Sequence, residues 1–392
     1  MSPASLVLED LPFHIGATAV PRNPDGLPDT LHFGLEVRET CSCVRLEQQS
    51  SPKLRELLKK AYQIGLEIGT PLAADPQGQP YADDFLRFIS EACPAVSGRA
   101  LEIGAGVGYV SHCLALKGWD VTGLEPGGGY REKWIGLAAN IVNEAFPSPR
   151  AQGPYDLIVS YAVLEHIEDT GAFITAIRDH LTLKGVVVLS VPDCSAEIAT
   201  GDPAMLLHEH FHYFTASTLA SCLRDAGFDV RVQPSKYGRC LYAAATPNVH
   251  TMARTQPSHE AEQIRSYPAI VNERIRAVEA AVRSRNSTDE LAIMCPVRSL
   301  AVLSGCTDAA LRFCDDDPGL QGLYLPPFAC PIESRQALRE WQPKELWIMS
   351  RTFGAKIRES LALELPRTRL LTAEEVLCER PNDGARRQRF HA

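Results

Sequence analysis

Short apolar runs alternate along the chain with stretches in which apolar residues recur every three or four positions. Between residues 99 and 245 the apolar runs predict strands at 100–103, 120–125, 155–160, 186–192, 229–232 and 241–244. Helical spacing predicts helices after Gly108, at 172–181 and at 216–226, the last capped by Gly227. Strands that alternate with helices are typical of a doubly wound parallel sheet. We therefore predict an α/β, Rossmann-like core.

The flanking segments have different patterns. Prolines predict a loop-rich segment over 1–50, followed by helices over 52–68 and 81–92. Residues 246–262 are polar and predict a linker, after which a helix extends to about 285 and bends near Pro268. Shorter strands are then expected at 291–294, 310–313, 345–349 and 369–371. Helices are expected between them, at 298–302, 334–341 and 353–363.

These patterns predict three domains. The first is an N-terminal extension over 1–75, and the second is the core over 76–247. The third is a smaller C-terminal α/β domain over 248–392.

Charge and hydropathy narrow the classes of partner. The 392-residue chain carries a net charge of -9, which argues against nucleic-acid binding because counterion release needs a basic face. No apolar run approaches the roughly twenty residues that span a bilayer. The N-terminal residues lack the basic flank and long apolar core of an export signal. We expect a small-molecule substrate, with neither nucleic acid nor a membrane as partner.

Cysteine usage indicates the compartment. The chain contains twelve cysteines, scattered singly apart from Cys41 and Cys43. This distribution is typical of reduced thiols rather than of a disulfide framework. We therefore expect a cytoplasmic enzyme.

The apolar run at 100–103 leads into glycines at 104, 106 and 108 and then into a helical pattern. Glycines at a strand-to-helix turn let the backbone approach a ligand, and the helix directs unpaired N–H groups toward it. The following strand ends at Glu125, about twenty residues on, where an acid accepts hydrogen bonds from ribose hydroxyls. The pattern predicts a nucleoside-binding loop.

The G-x-G-x-G spacing, with Glu102 two residues before the first glycine, resembles the first motif of class I S-adenosylmethionine (SAM) methyltransferases. The resemblance implies that backbone N–H groups of 104–108 hold the carboxylate and ribose edge of SAM, and that Glu125 accepts both ribose hydroxyls. Glu102 would orient the amino group or the loop; alternatively it is a salt-bridged strand-end acid. The predicted cofactor is SAM, with S-adenosylhomocysteine (SAH) as its product, bound by Glu102, Gly104, Gly106, Gly108 and Glu125.

His166 follows the strand at 155–160, in a segment similar to the loop after the fourth strand of class I methyltransferases. That loop borders the methyl group and the substrate in such folds. We interpret His166 as a base or a substrate contact, or alternatively as a cap of the next helix.

Histidines at 208, 210 and 212 alternate along one segment, and Glu209 stands between the first two. Imidazoles bind zinc, but alternate residues of a strand stand too far apart to chelate without a tight turn. An acid that fixes the tautomer of a general base is better supported physically. A surface strand with solvated histidines is the third interpretation. We predict no metal ligands here.

The run from His208 to Phe214, followed by a helix and Ala226-Gly227-Phe228, looks like the catalytic segment of sugar C-methyltransferases, which act on nucleotide-activated keto-deoxysugars. The likeness covers about 39–377 and includes a C-terminal α/β domain that would bind substrate. It implies a catalytic surround of Glu209, His210 and His166. The implied reaction removes a proton next to the sugar ketone, and the enolate carbon then attacks the methyl group of SAM.

The substrate side departs from that family. Leu207 stands where the family usually has a tyrosine, and the tyrosine-rich stretch before the SAM domain is represented by Tyr62 and Tyr81. The substrate pocket is therefore expected to differ, and a non-sugar substrate is compatible with it.

The N-terminal domain of that family usually binds zinc through cysteines, and most of these cysteines are missing here. No cysteine precedes Cys41, and of the family's two C-x-x-C pairs only Cys43 aligns well. His14 and His32 are the remaining imidazoles that could substitute. We expect a remnant of that domain on the substrate side, without structural zinc.

Two alternatives from other classes stay open. One is O- or N-methylation of a small natural product with His166 or His210 as the base, which carbon–proton NMR of the transferred methyl would separate from C-methylation. The other is a non-catalytic scaffold with a SAM fold, against which the intact glycines and Glu125 argue. Calorimetry with SAH tests the scaffold.

Overall fold

The computed structural model describes residues 5–14, 16–66, 72–73, 78–248, 256–285 and 290–378. The strands within these residues are β1 (Ser5–Pro12), β2 (Thr30–Glu39), β3 (Val44–Gln48), β4 (Gly98–Ile103), β5 (Trp119–Leu124), β6 (Asn140–Val142), β7 (Tyr155–Tyr161), β8 (Leu181–Pro192), β9 (His212–Tyr213), β10 (Phe228–Pro234), β11 (Cys240–Pro247), β12 (Leu291–Met294), β13 (Arg312–Cys314), β14 (Ile332–Glu333), β15 (Glu345–Ile348) and β16 (Arg369–Thr372). The α-helices are α1 (Pro52–Gln63), α2 (Gln79–Ala92), α3 (Tyr109–Leu116), α4 (Thr170–Asp179), α5 (Ser195–Thr200), α6 (Ala216–Asp225), α7 (Ser258–Arg283), α8 (Arg335–Trp341), α9 (Gly354–Ala362) and α10 (Ala373–Cys378).

The chain divides into two compact units, each built from segments that are not consecutive in the sequence. The first unit is built from Glu36–Ala199 and Glu209–Arg265, and the second from Ala4–Leu35, Thr200–His208 and Ser266–Ala392. The predicted domain boundaries after residues 75 and 247 stay predictions.

A seven-stranded sheet organises the first unit, in the order β10-β11-β8-β7-β4-β5-β6. Strands β4 to β8 are parallel, whereas β11 is antiparallel to both β8 and β10. The predicted α/β, doubly wound fold is confirmed. The strand order reverses between β4 and β7, so the crevice for a ligand is expected at the carboxyl ends of these strands.

The core of this unit lies on both faces of the sheet. Side chains on the central strands are fully buried, among them Leu101, Leu157, Ile158 and Val188. Parallel strands covered by helices on both faces need such continuous apolar runs, which is why the sequence pattern located them. The predicted cap Gly227 has a φ of +84°, and its amide donates to the Arg224 carbonyl at the end of α6.

The second unit contains a smaller parallel sheet of order β14-β13-β12-β15-β16, which confirms the predicted C-terminal α/β region. The predicted helix at 298–302 is wrong, because the chain forms a short 3-10 turn over Pro296–Ser299 instead. Cys295 precedes this turn in the left-handed region, with a φ of +59°, and residues 300–303 follow it as further turns. The predicted linker falls partly on residues 249–255, outside the described residues, and α7 begins inside its predicted end.

The prediction of a loop-rich segment over 1–50 is wrong for the described residues. Strands β1, β2 and β3 occupy much of it, and Leu6 and Leu8 alternate with exposed neighbours at the period of a strand. Pro12 ends β1, and the prolines at 21, 24 and 28 lie between β1 and β2. The prolines therefore separate strands instead of preventing them.

Among the described residues, no helix is long and apolar enough to cross a lipid bilayer.

Candidate active site

The loop between β4 and α3, residues 104–108, folds back against the end of β5; we call it the glycine loop. The Gly104 amide donates to the Leu124 carbonyl at 2.8 Å, and the Gly106 amide donates to Glu125 Oε2 at 2.8 Å. The Gly108 amide donates within the loop at 2.7 Å. The amides of these three glycines, expected to hold the cofactor, are thus used inside the protein.

The three glycines adopt left-handed backbone conformations, and two of them leave no room for a side chain. Their φ angles are +78°, +51° and +77°, which non-glycine residues rarely adopt. A Cβ at Gly104 would lie 2.3 Å from Val163 Cγ2, and one at Gly108 would lie 2.5 Å from Leu137 Cδ1. A Cβ at Gly106 would have no protein atom within 4 Å, so this residue borders open space into which a side chain would project.

Glu125 lies at the carboxyl end of β5 and is buried. Its Oε2 accepts the Gly106 amide at 2.8 Å, and its Oε1 accepts the Gly127 amide at 2.6 Å. A carboxylate oxygen can accept more than one hydrogen bond. Glu125 therefore fixes the glycine loop and presents a bidentate acceptor beside it, which fits a ribose diol.

Glu102 is buried, and its Oε2 accepts both the amide and the hydroxyl of Ser111, at 2.8 and 2.5 Å. The Ser111 amide belongs to the first turn of α3 and has no partner within the helix. Burial raises the pKa of Glu102 to about 8. The side chain anchors the start of α3 through these two hydrogen bonds, and its role toward SAM stays a prediction.

Trp134 is a further member of this region that the sequence did not single out. Its indole Nε1–H donates to the Gly106 carbonyl at 2.8 Å. This bond fixes the peptide that borders the open space. Trp134 ends the short 3-10 helix Arg131–Trp134, and an isolated tryptophan there carries no sequence signal for such a role.

An acid–histidine cluster of Tyr62, Glu165, His166, Glu209 and His210 lies after the carboxyl end of β7. Three distant segments of the first unit contribute to it, which are the end of α1, the 3-10 turn Leu164–His166, and the residues that precede β9. The rings of His166 and His210 meet edge to face, with centroids 5.0 Å apart. The structure thus brings together the three predicted catalytic residues.

His166 is held through its Nδ1 atom, which lies 2.9 Å from the backbone carbonyl oxygen of Glu209. A carbonyl only accepts, so Nδ1 carries the hydrogen and Nε2 carries the lone pair. The Tyr62 hydroxyl lies 3.3 Å from the same Nδ1 and 3.5 Å from Glu209 Oε2. Burial lowers the pKa of His166 to about 4, so the ring is neutral at neutral pH.

The predicted pairing within the acid–histidine segment takes a different form in the structure. The Glu209 carboxylate lies 4.0 Å from Nδ1 of His166, so its acid–imidazole contact reaches across to the other segment. Residues 208 and 209 form a turn instead of a strand, so the period-2 alternation of a strand does not set the directions of the side chains at 209 and 210.

Glu165 is a member that sequence reasoning missed. Its side chain is 2% exposed, and Oε1 lies 3.8 Å from His166 Nε2. Oε2 has no hydrogen-bond partner among the described residues. Burial raises the pKa of this carboxyl to about 8. The available signal was its position directly before His166 in the loop after β7.

The three alternating histidines do not share a face. His208 belongs to the second unit, where its Nε2 lies 3.2 Å from the Leu11 carbonyl and its ring lies between Phe13 and Phe33. His212 is buried in β9, and its Nε2 lies 3.1 Å from the Glu168 carbonyl. Residues 208–210 do not form a strand. The interpretation of the three histidines as one face of a surface strand is therefore wrong.

The seven-stranded sheet with its glycine loop and the family match of this part of the chain identify a class I SAM-dependent methyltransferase domain. The family described as "Methyltransferase domain" matches residues 75–233, which contain the glycine loop and four members of the cluster. SAM is therefore the cofactor, and the open space at Gly106 together with the Glu125 carboxylate fits it.

Particular relatives are similar over that domain. A ubiquinone biosynthesis O-methyltransferase of Marinobacter nauticus is 28% identical over 166 residues, which are 37% of this chain and 70% of the relative. The enzyme of the same name from Cereibacter sphaeroides is 27% identical over 176 residues, 41% of this chain and 71% of the relative. A solved SAM-dependent methyltransferase of Mesorhizobium loti is 17% identical with a TM-score of 0.36, covering 42% of this chain and 99% of that chain.

Proposed function

We propose that this SAM-dependent methyltransferase methylates a small molecule at a carbon next to a ketone, after removal of a proton at the acid–histidine cluster. The observation that carries the proposal is the convergence of His166, His210 and two carboxylates from distant segments after the end of β7. A methyltransferase that acts on a ready-made nucleophile needs no such arrangement. The resemblance to sugar C-methyltransferases supports a nucleotide-linked keto-deoxysugar as one substrate class.

In the proposed reaction, His210 accepts the proton from the carbon next to the ketone. The backbone carbonyl of Glu209 holds the His166 ring, which packs against His210. The Tyr62 hydroxyl lies close enough to His166 and to the Glu209 carboxylate to fix both. When bound, SAM supplies an electrophilic methyl group on a sulfonium. The enolate electron pair forms the new carbon–carbon bond while the carbon–sulfur bond breaks and its electrons stay on sulfur, giving SAH.

O-methylation is the second candidate, and the names of the two relatives favour it. The same cluster would take the proton of an acidic hydroxyl, so the residues are common to both candidates. N-methylation is the remaining variant of this candidate. The non-catalytic scaffold loses its basis, because the domain is a methyltransferase domain.

The test uses SAM with a 13C-labelled methyl group and two substrates, a nucleotide-linked keto-deoxysugar and a simple phenol. We expect a labelled methyl on carbon with the keto substrate, recognised from its carbon shift and its correlation with neighbouring protons. A labelled methyl on oxygen, obtained with the phenol alone, would favour O-methylation. Wild-type-like turnover of either substrate by His210→Ala would contradict the role of the cluster in both candidates.

A further inference from the structure

We propose that Glu165, His166 and His210 bind a divalent transition-metal cation in the cluster. One ligating atom from each of the three residues lies within 4.8 Å of the other two. The inference rests on the proposed function, because the cation would lie where the substrate loses its proton. It also departs from the sequence prediction of no metal ligands at this segment.

The spacing of the donor atoms is close to that of a metal site. Zinc bonds to imidazole nitrogen and carboxylate oxygen are about 2.0–2.2 Å long, which places tetrahedral ligand atoms roughly 3.4 Å apart. His166 Nε2 and Glu165 Oε1 lie 3.8 Å apart, a few tenths of an ångström more than this separation, and the ligating atoms of all three residues lie within 4.8 Å of one another. The ring of His210 meets that of His166 edge to face, and its ligating nitrogen is one of these atoms.

The tautomer of His166 is the one that a metal ligand requires. Its Nδ1–H donates to the Glu209 carbonyl at 2.9 Å, which leaves the Nε2 lone pair on the side of Glu165. Imidazoles that bind metals nearly always donate their other N–H to a carbonyl or carboxylate in this way. The Glu209 carboxylate, 4.0 Å from the same nitrogen, adds negative charge close by.

Glu165 supplies an independent observation. Its Oε2 is buried and has no hydrogen-bond partner among the described residues. A buried carboxylate oxygen without a donor is costly, since burial removes its water without replacing the lost hydrogen bonds. A cation bound by both carboxylate oxygens of Glu165, with Oε1 on the side of His166, would supply the partner that Oε2 lacks.

The donor set indicates which cation fits. Two imidazoles and one carboxylate suit Zn²⁺, Fe²⁺ or Co²⁺, whereas Mg²⁺ and Ca²⁺ prefer oxygen ligands. Three protein ligands leave coordination positions open for a substrate oxygen. In the loaded form the cation would stabilise negative charge on that oxygen, and His210 would act as a ligand instead of as the base. The Glu209 carboxylate would then accept the proton in its place, because the lone pairs of both imidazoles are used.

Cobalt titration tests the site directly. The full-length protein is freed of metal with EDTA and titrated with Co²⁺, and we expect one equivalent with visible ligand-field bands and without thiolate charge-transfer absorption. Glu165→Gln and His210→Gln should each weaken this binding at least 100-fold, whereas the exposed His259→Gln should match wild type. SAH binding by all variants confirms that they are folded. Equal Co²⁺ affinity in wild type and both cluster variants, or thiolate bands, would overturn the site.

Turnover separates this inference from the proposed function. We expect the metal-free enzyme to lose most of its methylation of the keto substrate or the phenol, and one equivalent of Zn²⁺ to restore it. Full turnover by the metal-free enzyme would overturn the role of the cation and leave His210 as the base. Absence of methylation in both forms, with SAH still bound, would overturn the proposed function, and the cobalt titration would then decide the metal site alone.

Discussion

The glycine loop and the acid–histidine cluster are built in opposite ways. Backbone atoms and two acids within 25 residues of one another make the loop, whereas side chains from Tyr62 to His210 make the cluster. In the loop the three glycine amides donate inside the protein, and Gly106 borders open space. In the cluster a buried carboxylate oxygen lacks a partner among the described residues. The comparison suggests that the loop is shaped for binding and the cluster for chemistry.

The largest expected effect is a loss of turnover without a loss of SAH affinity, caused by a substitution in the cluster. His210→Ala should lower turnover about 1000-fold, because proton removal by a positioned base contributes on this order. SAH affinity, measured by calorimetry, should stay within about twofold of wild type, since no contact of the glycine loop changes.

The control for this variant is His259→Ala, which removes an exposed imidazole from α7. It should leave both quantities unchanged. A His210→Ala enzyme that loses SAH affinity as strongly as turnover would show that the two regions are not separable.

Glu125→Ala should give the reverse result. The variant loses a charged acceptor of ribose hydroxyls and the anchor of the Gly106 and Gly127 amides. We expect SAH affinity to fall about 100-fold, as for hydrogen bonds to a charged group. Turnover at saturating SAM should change only a few-fold.

Asp120→Ala is the matched control for Glu125→Ala, because Asp120 is exposed on the same strand, β5. It should bind SAH like wild type. An unchanged SAH affinity in Glu125→Ala would remove the acid from the cofactor site.

A smaller effect is expected at Gly106. An alanine there must hold a φ of +51°, which costs roughly 1–2 kcal/mol of unfolding free energy. Its Cβ also enters the open space, so SAH affinity should fall further, about tenfold. Denaturant unfolding and calorimetry measure the two effects.

Gly238→Ala provides the control for strain alone. Gly238 has a φ of +71°, and its Cβ would also meet no atom within 4 Å. The substitution should lower stability by a similar amount and leave SAH affinity intact. Equal SAH affinity in the two alanine variants would mean that the space beside Gly106 is not where the cofactor binds.

The smallest effect concerns pH. Burial raises the pKa of Glu102 from 4.5 to about 8, so between these values the folded protein holds a proton that the unfolded chain has released. Stability therefore falls as pH rises through this window. Glu102→Gln should reduce the slope of unfolding free energy against pH, and Glu132→Gln, at an exposed site, should not. An unreduced slope in Glu102→Gln would assign the pH dependence to other groups.

The sequence predicted the glycine loop because every determinant is local. A strand, three glycines, a helix and an acid at the end of the next strand follow one another within 27 residues, and each has a known backbone consequence. The engagement of the glycine amides inside the protein was not predictable, since it depends on how closely the loop approaches Leu124.

The cluster could be predicted only in part. His166, Glu209 and His210 were found through motifs, but the motifs carry no information on which acid meets which imidazole. Glu165 and Tyr62 acquire their roles from the packing of α1 and of the 3-10 turn Leu164–His166, which no periodicity in the sequence records. Packing also decides the positions of the three alternating histidines. A strand would have placed them on one face, whereas in the structure each has different neighbours.

A crystal structure of the full-length protein with SAH tests the division between the loop and the cluster most directly. The account predicts the ribose hydroxyls on Glu125, the adenosine side of SAH in the space beside Gly106, and the sulfur directed toward His166 and His210. An SAH molecule bound elsewhere, or one whose sulfur faces away from both imidazoles, would contradict it.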